Sequence, residues 1–114
     1  MSRVPGWRPY AAGVGSPLEL KFLRLFEQHG FHPHPQVPIV LAEGQAPLSI
    51  ADFAVPERRL AIYIDSAAFH VGAALRRDSF IRQRLRSTNP PWRVEELRAA
   101  DLALGAALVA WLKA

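Results

Sequence analysis

Two aspartates stand inside segments of the chain that are otherwise apolar. Asp52 interrupts the run Ile50-Ala-Asp-Phe-Ala-Val55, and Asp65 ends the run Leu60-Ala-Ile-Tyr-Ile-Asp65. A carboxylate in such surroundings costs free energy unless a cation, a proton or a hydrogen-bond donor compensates its charge. A structural role competes with a chemical one, because an Asp at the end of a strand can instead cap the loop that follows. Position alone leaves both roles open for each residue.

A short connection joins the two segments that carry these acids. Pro56-Glu57-Arg58 separates residues 48–55 from residues 60–65, which predicts an antiparallel β-hairpin. Both aspartates lie away from the turn, so we expect them at the same end of the sheet. Two carboxylates within several ångströms repel each other, and a hard divalent cation such as Mg²⁺ removes that repulsion. The hairpin therefore presents a candidate metal site.

The segment before the hairpin has a helix start signal. Ser16 is a typical N-cap residue, Pro17 takes the first helical position, and Glu19 stands three residues after the cap, as in a capping box. Gly30 is a typical C-terminal stop. Apolar residues recur between them at helical spacing: Leu18, Phe22, Leu25 and Phe26. The pattern predicts a helix over residues 16–29.

The other elements follow from apolar runs and from breaker residues. Pro38 confines the first strand to an edge of the sheet, and the strand ending at Asp65 is apolar on both faces, which places it in the centre. Gly105 is the one weak point of the last helix. In chain order we predict a helix over 16–29, strands over 36–41, 48–55 and 60–65, an irregular loop over 66–75, a helix over 76–86, a strand over 92–97 and a helix over 99–113. This α-β-β-β-α-β-α order predicts an α/β or α+β fold, a small mixed four-stranded sheet flanked by helices.

Length and composition set the class of protein. The chain has 114 residues, half of them apolar and 21% charged, which suits one globular domain. Residues 1–15 carry scattered Pro and Gly without periodicity, so we interpret them as an arm or linker before a single domain over 16–114. No apolar run reaches the roughly 18 residues that a membrane span needs. The absence of Cys and of a signal peptide favours a cytoplasmic protein.

The positive charge is concentrated in one region. The 14 basic residues outnumber the 10 acidic ones, giving a net charge of +4. The helix over 76–86 carries five arginines: Arg76, Arg77, Arg82, Arg84 and Arg86. Such a stripe is typical of a surface that contacts nucleic-acid phosphates. The alternative is a solvated helix face in an Arg-rich protein, and composition does not separate the two.

A family resemblance rests on these motifs in their order along the chain. They are Ser16-Pro-Leu-Glu19, Ser49-Ile-Ala-Asp52-Phe-Ala-Val-Pro56, Leu60-Ala-Ile-Tyr-Ile-Asp65-Ser-Ala-Ala-Phe-His70, and Arg77-Asp78 with Arg82. Over about residues 16–102 they resemble the PD-(D/E)XK restriction-endonuclease-like superfamily, in the branch of the DUF559 group and the very-short-patch repair (Vsr) endonucleases. The chain departs from the pattern at Tyr63, where Glu is usual, in having no Lys nearby, and at Ser66, where Gly is usual.

The resemblance implies a metal-dependent DNA endonuclease in repair, restriction or defence. Asp52 matches the metal-binding Asp, and Asp65 would bind the cation or orient its water, with the backbone carbonyl of Ile64 as a further ligand. His70 would be the general acid or base, and Glu19 an outer ligand. The implied cofactor is Mg²⁺, with Mn²⁺ as a substitute. DNA is the implied partner, and a homodimer or fusion to a helicase-type protein also fits the family.

Each of these roles has a structural alternative. Glu19 would then only complete the capping box, and His70 would be a packed histidine beside a strand. Asp78 would pair with Arg82 one helical turn away, and Tyr63 would be a core residue. The alternative function is therefore a catalytically degenerate nuclease fold that acts as a DNA-binding or protein-interaction module.

Overall fold

The computed structural model describes residues 16–41, 44–65 and 72–114, and for residues 72–78 it describes the backbone alone. The helices are α1 (Pro17–Gln28), α2 (Gly72–Arg86) and α3 (Ala106–Lys113), and the strands are β1 (His34–Ile39), β2 (Ser49–Val55), β3 (Leu60–Asp65) and β4 (Arg93–Arg98). Short 3-10 helices occupy Pro56–Arg58 and Ala99–Leu104. The predicted order of elements and the mixed α/β class are confirmed.

The four strands form one mixed sheet in the order β1-β2-β3-β4. β1 pairs antiparallel with β2, β2 pairs antiparallel with β3, and β3 pairs parallel with β4. The parallel pair requires a crossover between its strands, which α2 supplies. The sheet order confirms the edge position of β1, which its prolines predicted, and the central position of β3, whose residues Leu60 to Ile64 are all buried.

Apolar side chains cover both faces of the sheet. On one face Phe22 and Phe26 of α1 and Leu112 of α3 pack against Phe53 and Ile62. On the other face the core consists of Ile39, Ala51, Ala54, Ala61, Tyr63, Leu85 and Val94. Successive residues of β3 alternate between the two clusters, as the two-residue period of a strand requires. A central strand covered on both faces is therefore the rigid support of the molecule.

The start of α1 forms as its sequence predicts. The backbone N–H of Glu19 donates to the Ser16 hydroxyl oxygen at 3.2 Å, which satisfies one of the free donors of the first turn. Gly30 follows the helix with φ of +73°, a conformation that glycine adopts readily. Docking of Phe22 and Phe26 on the sheet turns Glu19, one turn before Phe22, to the same side of the helix, and its exposed fraction is only 9%.

The β2–β3 hairpin is confirmed, with the turn where Pro56-Glu57-Arg58 predicted it. The ladder runs from Val55 opposite Leu60 to Phe53 opposite Ile62. Arg59 closes the turn in the left-handed region, with φ of +50°, and its N–H donates to the carbonyl oxygen of Pro56 at 3.0 Å. Asp52 and Asp65 both lie beyond the last ladder pair, at the end of the sheet away from the turn, as expected.

Three predicted elements have wrong boundaries. The first strand, predicted over 36–41, covers His34–Ile39. Residues 72–75, assigned to an irregular loop, form the first turn of α2, since the Ala-Ala-Leu after Gly72 favours helix. Residues 66–71 of that loop lie outside the described residues. The helix predicted over 99–113 is broken at Gly105, whose φ of +54° and ψ of −127° cannot continue a helix. The apolar run that predicted one helix therefore forms two elements, a 3-10 helix before Gly105 and α3 after it.

Side chains on α2 divide between the core and the surface. Leu85 is fully buried and Ile81 is half-buried, but Phe80, predicted as part of the same apolar stripe, has an exposed fraction of 60%.

Among the described residues, no helix is long and apolar enough to cross a membrane.

Candidate functional site

Asp52 lies where the hydrogen-bond ladder between β2 and β3 ends. After the pair of Phe53 and Ile62, the backbone N–H of Ile64 donates to Oδ2 of the Asp52 side chain at 2.7 Å. The carboxylate thus accepts from a strand N–H that the ladder no longer uses. A bond of this length is at the short end for an N–H donor, and it fixes the Asp52 carboxyl group against the central strand.

Glu19 of α1 meets this carboxylate. The side chains of Glu19 and Asp52 hydrogen-bond to each other, although 33 positions separate them in the sequence. Two carboxyl groups form such a bond only when one of them carries a proton. The docking of α1 on the sheet therefore creates an acidic pair, which we call the carboxyl pair. Glu19 therefore meets Asp52 in addition to the Ser16 hydroxyl at the start of α1.

The surroundings of the carboxyl pair shift the pKa of Asp52. Burial is the largest cause, and together with the charge and hydrogen bond of Glu19 it raises this pKa from 3.8 to about 7. The Ile64 N–H and the positive charge of Arg82 act in the opposite direction. Since burial dominates, the pair holds its proton up to near-neutral pH, and an entering cation would replace that proton.

Gln36 is a member of the site that sequence reasoning missed. Its side-chain Nε2 donates to Oε1 of Glu19 at 2.9 Å, and the Ser16 hydroxyl lies 3.3 Å from Oε2 of the same carboxylate. Gln36 stands in β1 opposite Asp52, since the β1–β2 register pairs residues on either side of it. Its φ is +51°, which is unusual for a residue with a side chain. No sequence signal marks this Gln, apart from the prolines that flank it in an irregular edge strand.

Tyr63 fills the position at which the family resemblance expects Glu. Its ring is buried in the core on the α2 side of the sheet, and its hydroxyl lies 2.6 Å from the Ser49 hydroxyl. The guanidinium of Arg82 stacks 4.6 Å from the ring centroid, in the geometry of a cation–π contact. Tyr63 is therefore a core residue of the α2 face, as its structural alternative predicted.

The arginines of α2 occupy different environments. Arg82 is only 8% exposed, and its Nη1 lies 3.5 Å from a carboxylate oxygen of Glu96 on β4. Arg86 contacts the same carboxylate at 3.3 Å and donates to the carbonyl oxygen of Val94 at 3.2 Å. Arg84 is exposed. The side chains of Arg76 and Arg77 lie outside the described residues.

Asp65 ends β3 at the same end of the sheet as Asp52, away from the hairpin turn. Arg98 is its partner in the parallel β4 strand, and the Arg98 Nε lies 3.6 Å from Oδ2 of Asp65. His70, the predicted general acid or base, falls outside the described residues. The structure thus brings Glu19 and Asp52 into contact and places Asp65 on the neighbouring strand.

The donor chemistry of the carboxyl pair fits Mg²⁺. Among the residues that the structure describes, no group of three or more His, Asp or Glu side chains is placed to hold a metal ion. Mg²⁺ does not need such a group, because it usually keeps several waters and binds through one or two carboxylates together with substrate phosphate oxygens. Asp52 and Glu19 supply two carboxylates in contact.

Comparisons with known proteins give no further guide. A scan against protein-family models, a search of curated proteins and a search of solved structures each found no match. Function is therefore inferred from the residues of the site and their geometry.

Proposed function

We propose that this chain is a metal-dependent DNA endonuclease with a restriction-endonuclease-like core, related to the DUF559 and Vsr branch of the PD-(D/E)XK superfamily. The observation that carries the proposal is the carboxyl pair. Asp52 is bonded to the Ile64 N–H where the β2–β3 ladder ends, and it meets Glu19 of the first helix. The mixed four-stranded sheet between helices agrees with such a core.

In this proposal Asp52 and Glu19 hold the divalent cation, Mg²⁺ or Mn²⁺ as a substitute. The Ile64 carbonyl is the proposed further ligand. Asp65 forms no three-carboxylate group with the pair, so its proposed role is to orient the attacking water. When bound, the cation neutralises charge on the scissile phosphate and lowers the pKa of a bound water. The Ile64 N–H keeps the Asp52 carboxylate in one orientation throughout.

The remaining steps belong to side chains around the pair. Hydrolysis forms a bond from water oxygen to phosphorus and breaks the bond from phosphorus to the leaving oxygen, which must receive a proton. His70 is the proposed donor or acceptor of that proton, since the unperturbed pKa of His lies near neutrality. Arg76, Arg77 and the exposed Arg84 and Arg86 of α2 hold DNA phosphates, which position the duplex without reading its sequence.

Arg82 has a different role in this scheme from its neighbours on α2. Its guanidinium is buried against the Tyr63 ring, and its charge favours the ionised form of Asp52. The family pattern has a Lys near its acidic ligands. In this proposal Arg82 supplies the positive charge in its place. Arg82 therefore contributes charge to the site from the core side, and the exposed arginines contact the DNA backbone.

A second candidate function is favoured by Tyr63. Its buried ring occupies the position of the expected Glu, and it is fixed by Ser49 on one side and Arg82 on the other. A site without this acidic ligand has one group fewer to hold a cation, which favours a fold that does not cleave. The chain would then be a catalytically degenerate module that binds DNA or another protein through the same arginines.

A cleavage assay separates the two functions. Supercoiled plasmid is incubated with the protein and Mg²⁺ or Mn²⁺, or with EDTA, and the wild type is compared with Asp52→Ala. The matched control is Glu57→Gln, which removes one exposed carboxylate in the turn far from the carboxyl pair. Nicking that needs the cation, is lost in Asp52→Ala and remains in Glu57→Gln supports the endonuclease. No nicking, with a salt-sensitive gel shift that Asp52→Ala retains, supports the degenerate module.

A further inference from the structure

We propose that Gln36 is a positioning residue of the carboxyl pair, and that its side-chain amide sets the affinity of Glu19 and Asp52 for a divalent cation by fixing the orientation of the Glu19 carboxylate. This inference rests on the proposed function, because it concerns the same site. It assigns a role to a strand residue that neither the sequence motifs nor the family resemblance includes.

The hydrogen bonds of Glu19 show what Gln36 does. The two oxygens of the Glu19 carboxylate have different donors: Oε1 accepts from Gln36 Nε2 at 2.9 Å, and Oε2 lies 3.3 Å from the Ser16 hydroxyl. The carboxylate plane is therefore held from two sides, one on the helix itself and one on β1. Outer partners of this kind orient metal ligands and strengthen metal binding.

The backbone of Gln36 indicates that packing does not explain this residue. Its φ of +51° lies in the left-handed region, where the described glycines with positive φ, Gly30, Gly44 and Gly105, are free of side-chain strain. The side chain is exposed, so it fills no gap in the core. Strained residues persist where the surrounding structure holds them, and they concentrate at functional sites. In this conformation the Gln36 side chain donates to Glu19 at 2.9 Å.

The register places Gln36 beside the carboxyl pair. Pro35 pairs with Phe53 and Val37 pairs with Ala51, so Gln36 occupies the place opposite Asp52. Residues opposite each other in an antiparallel pair lie close together on one face of the sheet. The Gln36 side chain donates to Glu19, 17 positions earlier in the sequence, so Gln36 and Asp52 both meet the same glutamate.

Two substitutions separate this role from a structural one. Gln36→Gly and Gln36→Asn both suit a left-handed backbone better than Gln, and neither carries an amide long enough to reach Glu19. Arg59→Gly is the matched control, because Arg59 has φ of +50° in the hairpin turn and takes no part in the carboxyl pair. For each protein, urea unfolding measures stability, and the electron paramagnetic resonance signal of free Mn²⁺ measures cation binding without any cleavage.

We expect the urea midpoint of both Gln36 variants to stay at or above that of the wild type, since relief of the backbone offsets the lost bond. Their dissociation constant for Mn²⁺ should rise about tenfold, the lower end of the effect of removing an outer partner of a metal ligand. Arg59→Gly should bind Mn²⁺ as the wild type does.

The other outcomes are decisive in different ways. Wild-type affinity for Mn²⁺ in the Gln36 variants overturns the inference and leaves the proposed function standing. A urea midpoint and a Mn²⁺ affinity that fall together assign Gln36 a merely structural role and also overturn it. A wild-type protein that binds no Mn²⁺ overturns the proposed function, and the inference with it.

Discussion

The backbone N–H of Ile64 donates to the Asp52 carboxylate at 2.7 Å, at the point where the ladder between their strands stops. The bond joins the central strand to the acid that we place at the centre of the site. Because a strand covered on both faces moves little, the orientation of this carboxylate is fixed before any ligand binds. Preorganisation of this kind is what a metal or catalytic site needs.

Stability should fall as the pH rises towards neutrality. The pKa of Asp52 is raised in the folded protein from 3.8 to about 7, mainly by burial. Between these two values the folded state holds a proton that the unfolded state has lost, so the free energy of unfolding decreases with increasing pH. Asp52→Asn removes the group that titrates. Urea unfolding at pH 5 and pH 8 should show a smaller decrease in this variant than in the wild type.

Glu57→Gln is the control for this pH dependence, because Glu57 is exposed in the hairpin turn. It should retain the wild-type difference between pH 5 and pH 8. An Asp52→Asn protein with the full wild-type difference would show that other groups cause the pH dependence and that the raised pKa of Asp52 is wrong.

Substitution of Arg82 should destabilise the protein more than substitution of any exposed arginine on α2. Arg82→Ala removes a buried guanidinium from the Tyr63 ring and from Glu96, and leaves a cavity beside the core. We expect a loss of roughly 2 kcal/mol in the free energy of unfolding. Arg84→Ala, an exposed position on the same helix, should change it by less than about 0.5 kcal/mol. Equal effects of the two substitutions would contradict the buried stack.

The C-terminal end of α3 is held by two arginines from other elements. Arg93 of β4 donates from Nη2 to the carbonyl oxygen of Trp111 at 2.9 Å and stacks on its ring at 4.8 Å, and Arg58 donates to the carbonyl oxygen of Leu112 at 3.2 Å. The two guanidinium groups donate to carbonyl oxygens that have no hydrogen-bond donor within the helix, because they lie in its last turn. Arg93→Ala should lower the free energy of unfolding by about 1 to 2 kcal/mol in a chemical denaturation experiment.

Lys113→Ala provides the comparison for Arg93→Ala, since Lys113 carries a charge in the same turn but is exposed. It should have little effect. If both variants lose the same stability, the contribution comes from the net charge near the helix end, and the hydrogen bonds of Arg93 add nothing.

Gly105→Ala should destabilise the protein through the backbone alone. Its φ of +54° and ψ of −127° are strained for any residue with a side chain, and an added Cβ would meet nothing within 4 Å. We expect a loss of about 1 to 3 kcal/mol, the range for a residue forced into a sparsely populated conformation. A variant with unchanged stability and greater helicity by circular dichroism would show that residues 99–113 can form one continuous helix.

The local parts of the fold were predictable from local patterns. Ser16, Pro17 and the apolar spacing after them predicted α1, and the short turn between two apolar segments predicted the β2–β3 hairpin. Residue types in short windows determine such elements, because caps, turns and periodicity act over a few residues. The same local reasoning was wrong at Gly105, since an apolar run suits both one long helix and two short ones that pack separately.

The candidate site was predictable only in part. Asp52 was identified from the sequence because a carboxylate in an apolar strand needs a compensating group. The identity of that group was not predictable, since the sequence offered a cation, a proton or a donor. In the structure, the Ile64 N–H donates to Asp52, and burial beside Glu19 raises the Asp52 pKa to about 7, which favours a proton as the compensating group.

The sequence by itself determined the order of elements, the edge and central strands, and the end of the sheet that holds Asp52 and Asp65. Only the tertiary structure decided that Glu19 meets Asp52, that Gln36 holds Glu19, and that Arg82 turns inward onto Tyr63. These contacts join residues far apart in the chain. They depend on the docking of α1 and α2 and on the register of β1, which packing of the whole core fixes and no short segment encodes.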